Sequence, residues 1–284
     1  MATEVTTVED LLKLGSVRLR RAGIDTARLD ARVLLGHLLH REPSTILPGD
    51  SSPVGESVQE KFLKLIARRE VHEPVSRIVG QREFFARPFR IDPAVLDPRA
   101  DSECVVELAL ELVPSPGRVL DLGTGSGCLL LSILSERPGA RGVGVDCSGQ
   151  ALEIARSNTD SLGCSDRVDL VESDWFQRIA GRFDLIISNP PYIRASDIPA
   201  LMPDVRLHDP MIALDGGSDG MDAYRAILRA AADHLNNGAP VVLEIGEGQM
   251  DSVAGIANGF GFEMSATTND LGGHVRGLAF TVPS

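Results

Sequence analysis

The sequence predicts an α/β fold in which a doubly wound, mostly parallel sheet of seven strands follows a small N-terminal helical domain. Three observations predict this fold. From residue 118 onward, short apolar runs alternate with helical stretches, as in βαβ units. A glycine-rich turn directly follows the first of these runs. Before residue 74 the apolar residues recur at helical spacing, and no strand pattern is present.

The first domain is expected to span residues 1–73 as a bundle of helices. Apolar residues from Val8 to Leu19 recur at helical spacing after Thr7, a candidate N-cap. A second helical run covers Leu29 to Leu38. A loop rich in Pro, Gly and Ser at residues 48–55 precedes a third helix near residues 56–72.

Residues 74–98 change character and are expected to form a hairpin or connector. Short extended runs at residues 82–85 and 88–91 are punctuated by prolines. Helical periodicity returns at residues 102–113. We therefore place the third region, the sheet-containing domain, at residues 99–284.

Within this domain the predicted strands and helices alternate. Apolar runs predict buried strands at residues 118–120, 142–145, 168–171, 183–187 and 240–243. Helical spacing predicts helices at residues 128–136, 150–158 and 221–235. Two more strands, near Phe262 and near Leu278, complete the sheet.

Composition narrows the class of protein. The 284 residues are 43% apolar and 24% charged, with a formal net charge of −12. An acidic chain argues against a general nucleic-acid binder and suits a basic protein partner. No run approaches the ~20 apolar residues of a membrane span, residues 1–10 do not look like a signal peptide, and the four cysteines are scattered. We expect a cytoplasmic monomer that binds no membrane.

The glycine turn, Asp-Leu-Gly-Thr-Gly-Ser-Gly at residues 121–127, opens a helix after the first strand. It lacks the Gly-Lys-Ser/Thr of a nucleotide P-loop, its third glycine comes one residue too early for a dinucleotide turn, and it is not a Gly-x-Ser-x-Gly elbow. It closely resembles the turn of class I (Rossmann-like) methyltransferases. That resemblance implies S-adenosylmethionine as cofactor, bound by Asp121, Gly123, Thr124, Gly125, Ser126 and Gly127; the alternative is a tight turn that binds nothing.

Two acidic residues are candidates for the remaining cofactor contacts. Asp146 ends the second strand, where a carboxylate accepts hydrogen bonds from both ribose hydroxyls, or alternatively caps the next helix. Asp174 follows the third strand, where it accepts from an adenine amino group while Trp175 covers the ring. Simple packing is the alternative for Trp175, the only tryptophan.

The motif Asn-Pro-Pro-Tyr at residues 189–192 directly follows the fourth strand. Two prolines make a stiff loop whose carbonyl groups stay free. An amide nitrogen is a poor nucleophile, and the Asn189 side-chain oxygen and the Pro190 carbonyl are suited to hold its NH2 group. Pro191 belongs to the same loop, and Tyr192 is expected to pack on the flat face of the substrate. We predict Asn189, Pro190 and Tyr192 as catalytic residues, with Asn189 also beside the cofactor and no metal required.

The motif resembles that of methyltransferases acting on planar nitrogens, and the wider sequence resembles the HemK/PrmC family. The similarity covers residues 74–284, notably 74–85, 95–103, 173–176, 204–206, 213–217 and 243–246. It implies methylation of glutamine N5 in the Gly-Gly-Gln loop of class I peptide chain release factors, with S-adenosylhomocysteine as by-product. It also implies that residues 99–103, with Arg99 and Glu103, lie beside the active site, and that the helical domain grips the protein substrate. Ala100 and Ser102 depart from the family pattern, which has proline and threonine there.

Alternative functions remain open at this stage. The same motif occurs in enzymes that methylate adenine N6 of nucleic acids, which normally have a basic surface. The same amide chemistry on another protein, such as a ribosomal protein, is a second alternative, and a non-catalytic scaffold is a third. Glu244 and Glu247 flank the end of the fifth strand, where they line the cofactor pocket or serve the structure alone.

Overall fold

The computed structural model describes residues 6–283, which fall into two units. The first unit consists of residues 6–80 together with Met202–His208, and the second of Gln81–Leu201 with residues 209–283. The division after Gly80 lies seven residues beyond the expected end of the helical domain, and it assigns the hairpin to the second unit.

The described helices and strands run in the following order. The α-helices are α1 (Val8–Arg21), α2 (Ala27–Leu39), α3 (Glu56–Glu70), α4 (Val75–Val79), α5 (Glu103–Leu112), α6 (Cys128–Glu136), α7 (Gly149–Ser161), α8 (Pro203–Arg206), α9 (Asp222–Ala231) and α10 (Met250–Gly259). The strands are β1 (Gln81–Phe84), β2 (Arg87–Arg90), β3 (Arg118–Leu122), β4 (Arg141–Asp146), β5 (Val168–Glu172), β6 (Leu185–Ser188), β7 (Val241–Glu244), β8 (Glu263–Asn269) and β9 (Val275–Thr281). Short 3-10 turns lie at Pro43–Thr45, Ala100–Ser102, Ile198–Ala200, Met211–Ala213 and Ala232–His234.

The three expected N-terminal helices are confirmed as α1, α2 and α3, which pack around their own core. Leu19, Leu34 and Phe62 are completely buried there. Gly15 allows α1 to approach α3, because a Cβ at Gly15 would lie 2.8 Å from the Phe62 ring. Helical periodicity predicted these elements because each helix buries one apolar face.

The residues at 202–208 join this unit through ion pairs. Arg69 is buried and pairs with Asp30 at 2.7 Å and with Asp204 at 2.8 Å. Asp204 also lies 3.3 Å from His72. A buried arginine needs such partners because an unpaired charge is costly to remove from water. The contacts of Asp204 join parts of the chain more than 130 residues apart, so no local pattern predicts them.

Thr7 caps α1, as its sequence position predicts, and its replacement tests the value of the cap. Thr7 Oγ1 accepts from Asp10 N at 3.3 Å, and Asp10 Oδ2 accepts from Thr7 N at 3.0 Å. We expect Thr7→Ala to lower the free energy of unfolding by about 1 kcal/mol, because Asp10 N, a helix donor without a main-chain partner, loses its acceptor. Urea unfolding followed by far-UV circular dichroism measures this change. Thr6→Ala is the control, and an equal loss in both variants would contradict a capping role.

The second unit contains a seven-stranded sheet in the order β5-β4-β3-β6-β7-β9-β8. Strands β3 to β7 are parallel, and β9 runs antiparallel to both of its neighbours. The strand order reverses between β3 and β6, so the carboxyl ends of these two strands border a topological switch point, where such sheets bind ligands. The predicted class, a doubly wound, mostly parallel sheet with an N-terminal helical region, is confirmed.

Two apolar layers cover the faces of this sheet. Alternate residues of β6 point to opposite layers: Ile186 joins one core with Tyr224 of α9, and Ile187 joins the other with Leu130 of α6. All of them are nearly or fully buried. A strand covered on both faces reads as a continuous apolar run, which is why the central strands were recognisable from sequence.

Several boundaries differ from expectation. Residues 75–79 lie in the region expected to be a hairpin or connector, and they form the short helix α4, which ends where Gly80 supplies a left-handed C-cap (φ 76°). Phe183 lies outside β6 and makes only an isolated bridge to Leu235. Helix α9 ends at Ala231 and continues as a 3-10 turn. Within residues 6–283, no helix is long and apolar enough to cross a membrane.

Candidate active site

Within the glycine turn, Asp121 and Leu122 end β3, and residues 123–127 connect this strand to α6 at the switch point. Gly123, Gly125 and Gly127 have φ values of 69°, 56° and 81°, a conformation that residues with a Cβ avoid. The turn is tied to the neighbouring strand, because Thr124 N donates to Val145 O at 2.8 Å. These backbone angles let the chain turn tightly at the start of a helix, where a ligand can approach the main chain closely.

Asp121 is buried beneath this turn. It is 1% exposed, and Thr124 Oγ1 donates to its Oδ2 at 2.6 Å. Burial raises the pKa of Asp121 to about 7, and the Thr124 hydrogen bond opposes the rise. The geometry thus gives Asp121 a supporting position, in which it holds the turn from below.

Asp146 lies at the end of β4 with its carboxylate beside the turn. Its Oδ2 accepts from Gly125 N at 2.9 Å and its Oδ1 accepts from Ser148 N at 2.9 Å. Burial raises the pKa of Asp146, whereas these backbone hydrogen bonds lower it. The capping of α7 is done by Ser148, whose Oγ accepts from Ala151 N. Asp146 is therefore orientated by the main chain, and each oxygen retains a lone pair for a ligand.

Asp174 and Trp175 follow β5 and also border this region. Asp174 Oδ2 accepts from Gln177 Nε2 at 2.7 Å. Trp175 has a φ of 46° and packs partly against the sheet core. A Cβ at Gly123 would lie 4.0 Å from Trp175 Cζ3, so the indole lies beside the glycine turn. Trp175 thus combines packing with a face turned to the site.

The Asn-Pro-Pro-Tyr motif begins where β6 ends, next to the glycine turn. The register pairs Leu122 with Ser188, so Gly123 and Asn189 start from adjacent points of the sheet edge. Ser188 Oγ donates to Leu122 O at 2.6 Å and fixes this junction. Asn189 Nδ2 donates to Ser102 Oγ at 3.4 Å, which leaves Asn189 Oδ1 as an acceptor.

The far end of the motif is held by a buried polar network. Tyr192 O–H donates to Glu244 Oε1 at 3.4 Å, and Gln249 Nε2 donates to Tyr192 O at 2.9 Å. Tyr224 O–H donates to Glu244 O at 3.0 Å. Glu244 is only 2% exposed, and burial raises its pKa to about 7. Burial also raises the pKa of the Tyr192 phenol, which therefore stays protonated.

These elements enclose one cavity of about 530 Å³, which we call the switch-point cavity. This volume is within the ~300–1,000 Å³ typical of small-molecule sites. Nine of the residues predicted from sequence line it: Gly123, Thr124, Gly125, Ser126, Asp146, Asp174, Trp175, Asn189 and Pro191. Asp121, Gly127, Pro190 and Tyr192 are not part of its wall.

Arg99 and Glu103 lie outside this wall as well. Arg99 Nη2 is 2.9 Å from Asp209 Oδ2, an ion pair that ties the segment before α5 to residue 209. Glu103 Oε1 accepts from Phe85 N at 2.9 Å, at the tip of the β1–β2 hairpin. The structure therefore brings Ser102, but not Glu103, to the switch-point cavity.

Sequence reasoning assigned no role to two other parts of the wall. One is the segment at residues 94–98, and the other comprises Pro210, Ile212, Ala213, Asp215 and Asp222. Gly216 and Gly220 allow the second part to pack on the motif, since a Cβ at Gly216 would lie 2.9 Å from Pro191 O. The resemblance at residues 95–103 and 213–217 was the available signal. In residues 6–283, no group of three or more His, Cys, Asp or Glu side chains is arranged to hold a metal ion.

Comparison with known protein families gives two matches. Residues 10–80 match the PrmC N-terminal domain, and residues 103–202 match the methyltransferase small domain. The first match extends seven residues beyond the expected end of the helical domain, and the second lies inside the region expected to contain the sheet.

Individual relatives cover nearly the whole chain. The release factor glutamine methyltransferase of Cereibacter sphaeroides is 42% identical over 275 residues, covering 97% of this chain and 98% of its own. That of Rhodospirillum rubrum is 43% identical over 269 residues, covering 94% and 83%. Among solved structures, the ribosomal protein L11 methylase of Lactobacillus delbrueckii subsp. bulgaricus has a TM-score of 0.51 at 20% identity, covering 69% of this chain and 86% of its own. This last likeness concerns the fold alone.

Proposed function

The chain belongs to the release factor glutamine methyltransferase family, and on that premise we propose the following reaction. The protein transfers a methyl group from S-adenosylmethionine to the side-chain N5 of the glutamine in the Gly-Gly-Gln loop of class I peptide chain release factors. S-adenosylhomocysteine is the by-product. The observation that carries the proposal is the adjacency of the glycine turn and Asn189 at one edge of the sheet.

The residues around the switch-point cavity fit an adenosine-containing cofactor. The glycine turn leaves space for a ligand beside the main chain. A Cβ at Gly125 would point into this space, because its only neighbour within 4 Å would be Gly123 O at 4.0 Å. Asp146 would hold the ribose hydroxyls, and Asp174 with Trp175 would hold the adenine. When bound, S-adenosylmethionine supplies a methyl group on a positively charged sulfur, and this chemistry requires no metal.

The Asn-Pro-Pro-Tyr motif would hold the acceptor amide. Asn189 Oδ1 and the Pro190 carbonyl would accept from the two N–H bonds of the glutamine NH2 group, which positions its nitrogen and favours a pyramidal geometry. The hydrogen bond from Asn189 Nδ2 to Ser102 supports this assignment, because it turns the side-chain oxygen away from Ser102. The role of Tyr192 as a packing surface for the substrate stays a prediction.

Charge supports a protein acceptor over a nucleic acid. The helical segment at residues 6–80 has twelve Lys and Arg against ten Asp and Glu, so most of the net charge of −12 resides in the sheet-containing unit. A duplex would meet an acidic surface there, and phosphate binding relies on lysine and arginine. We further infer a monomer that acts in the cytoplasm, without metal, membrane or nucleic acid.

Transfer of labelled methyl groups tests the proposed function. Purified protein is incubated with labelled S-adenosylmethionine and one of three acceptors: a class I release factor, its Gln→Ala loop variant, or duplex DNA. We expect label on the wild-type factor alone. Label on DNA would replace the proposal by adenine methylation, and label on neither protein would point to another protein amide.

The helical unit is proposed to bind the protein substrate through a basic groove. A depression of about 300 Å³ on this unit is lined by apolar residues, including Leu12 and Ile46, and by Arg20, Arg28 and Arg32. Glu9 also lines it and is paired with Lys13 at 2.7 Å. Within residues 6–283, no carboxylate lies within ion-pair distance of these three arginines. Arginines that have no ion-pair partner among the described residues, next to apolar side chains, suit a segment that carries both acidic and aliphatic side chains.

Charge reversal in this groove gives a third prediction. We expect Arg28→Glu combined with Arg32→Glu to raise KM for the release factor about tenfold, equivalent to about 1.4 kcal/mol of binding, with kcat within about twofold. Steady-state methylation at several release factor concentrations measures both constants. Arg21→Glu with Lys64→Glu is the control, because it changes net charge equally outside the groove. Equal KM values for the two double variants would contradict the assignment.

A further inference from the structure

One buried carboxyl group lies between the two ends of the Asn-Pro-Pro-Tyr motif. Glu244 ends β7, the strand next to β6 in the sheet. It does not line the switch-point cavity, and it is 2% exposed. Burying a carboxylate lowers the stability of a protein unless the groups around it form hydrogen bonds or ion pairs with it.

The Tyr192 end of the motif contacts this carboxyl group directly. Tyr192 O–H donates to Glu244 Oε1 at 3.4 Å. The main chain at the end of β7 is fixed by a separate contact, because Tyr224 O–H donates to Glu244 O at 3.0 Å. The Glu244 side chain is therefore not needed to fix the end of β7.

The Asn189 end of the motif reaches Glu244 through Ser102. Ser102 is 2% exposed, and its Oγ accepts from Asn189 Nδ2 at 3.4 Å. A hydroxyl that accepts one hydrogen bond still has its own hydrogen to donate. Glu244 Oε2 is buried and has no hydrogen-bond partner among the described residues, so it remains available as an acceptor for this hydrogen. The Ser102 hydroxyl also lowers the pKa of Glu244.

We propose that Glu244 is a positioning residue that clamps both ends of the motif, Tyr192 directly and Asn189 through Ser102, and that the clamp requires the carboxylate form. The charged form attracts both hydroxyl donors, so Asn189 Oδ1 stays directed at the acceptor amide. This inference rests on the proposed function, in which Asn189 holds that amide. It also explains why serine at position 102 preserves the site: the hydroxyl is the group that the clamp uses.

The protonation state of Glu244 is set by its surroundings. Burial raises its pKa to about 7, against the opposing effects of Ser102, Arg276 and Tyr192. The charged and titratable groups that act on it or feel its charge are Asp101, Cys104, Cys128, Tyr192, Tyr224 and Arg276. Because the pKa is raised, the clamp forms as pH rises through about 7 and is lost below it.

The pH dependence of kcat tests the clamp. In the wild-type protein, kcat for the release factor should rise about tenfold from about pH 6 to about pH 8, following the charged fraction of Glu244. In Glu244→Gln this step should vanish, and kcat at about pH 8 should fall about tenfold with the Kd of S-adenosylmethionine unchanged. Glu247→Gln is the matched control, because Glu247 is a surface residue three positions away.

Asp121 is the competing source of a pH step, because its pKa is also raised to about 7. Glu244→Gln leaves Asp121 in place, so a pH step that persists in this variant would overturn the proposal. Glutamine is close in shape to glutamate, and thermal unfolding of the variant confirms that it is folded before the kinetics are interpreted.

Variants of Ser102 test the link to Asn189. We expect Ser102→Ala to lower kcat about as much as Glu244→Gln, and Ser102→Thr to retain it, because threonine keeps the hydroxyl. The double variant Ser102→Ala/Glu244→Gln should be no worse than either single variant, since the two residues act as one unit. Additive losses would overturn the clamp. Failure of the wild-type protein to methylate a release factor would instead count against the proposed function, and the same variant ratios on the true acceptor would still test the clamp.

Discussion

Replacement of Asn189 by alanine is expected to reduce kcat for release factor methylation by about 10²–10³-fold. The variant removes the acceptor Oδ1. In the wild-type protein, Asn189 Nδ2 donates to Ser102 at 3.4 Å, and this hydrogen bond directs Oδ1 away from Ser102. The Pro190 carbonyl remains but accepts only one of the two N–H bonds. The nitrogen is then no longer positioned for attack, and misplacement at a reacting centre is costly.

The Asn189→Ala experiment separates transfer from cofactor binding. Isothermal titration with S-adenosylmethionine should give a Kd within about threefold of the wild-type value, because Asp146 and the glycine turn remain intact. Asn269→Ala, at the exposed end of β8, is the matched control and should leave both constants unchanged. A parallel loss of cofactor affinity and kcat in Asn189→Ala would contradict the role assigned to this side chain.

Replacement of Asp146 by alanine is expected to have the opposite signature. The Kd of S-adenosylmethionine should rise by about 10²-fold or more, because two hydrogen bonds to a charged acceptor are lost, each contributing about 1.5–3 kcal/mol. At saturating cofactor, kcat should stay within about threefold. The large effect on binding follows from the position of the carboxylate, which Gly125 N and Ser148 N hold at 2.9 Å each.

Asp146→Asn distinguishes the charge from the geometry. The amide keeps one acceptor oxygen, so we expect only about a tenfold rise in Kd, between wild type and Asp146→Ala. Asp166→Ala, an exposed aspartate before β5, controls for the loss of one negative charge. An unchanged Kd in Asp146→Ala would exclude the ribose contact and return Asp146 to a purely structural role beside the glycine turn.

Much of the fold was readable from local pattern. The strand at residues 240–243 is apolar on both faces, since Val241 and Leu243 join one core and Val242 the other, and a parallel sheet covered by helices produces that run. The cap at Thr7 and the start of α6 at Cys128 follow from short-range chemistry of caps and glycine turns. Helix α4 was missed because five residues are too few for periodicity to show.

The candidate site was readable in its parts but not in its arrangement. The glycine turn, Asp146 and Asn189 each follow a predicted strand, and the ends of parallel strands meet at one edge. The positions of Asp121 and Glu103 were not foreseen, because burial beneath the turn and the contact with Phe85 depend on the packing of distant segments. The clamp around Glu244 was equally invisible, since its members Ser102 and Tyr192 lie far from it in sequence.

The sequence by itself determined the strand-ending motifs and the order of the elements, because these depend on residue type and short spacing, and its family resemblance indicated the reaction class. Only the tertiary structure decided which side chains face the switch-point cavity and which support it from behind. It also decided that Met202–His208 belongs with the helical unit, through Asp204 and Arg69. The physical reason is that register, burial and long-range ion pairing are properties of the packed chain, and no local window of sequence contains both partners.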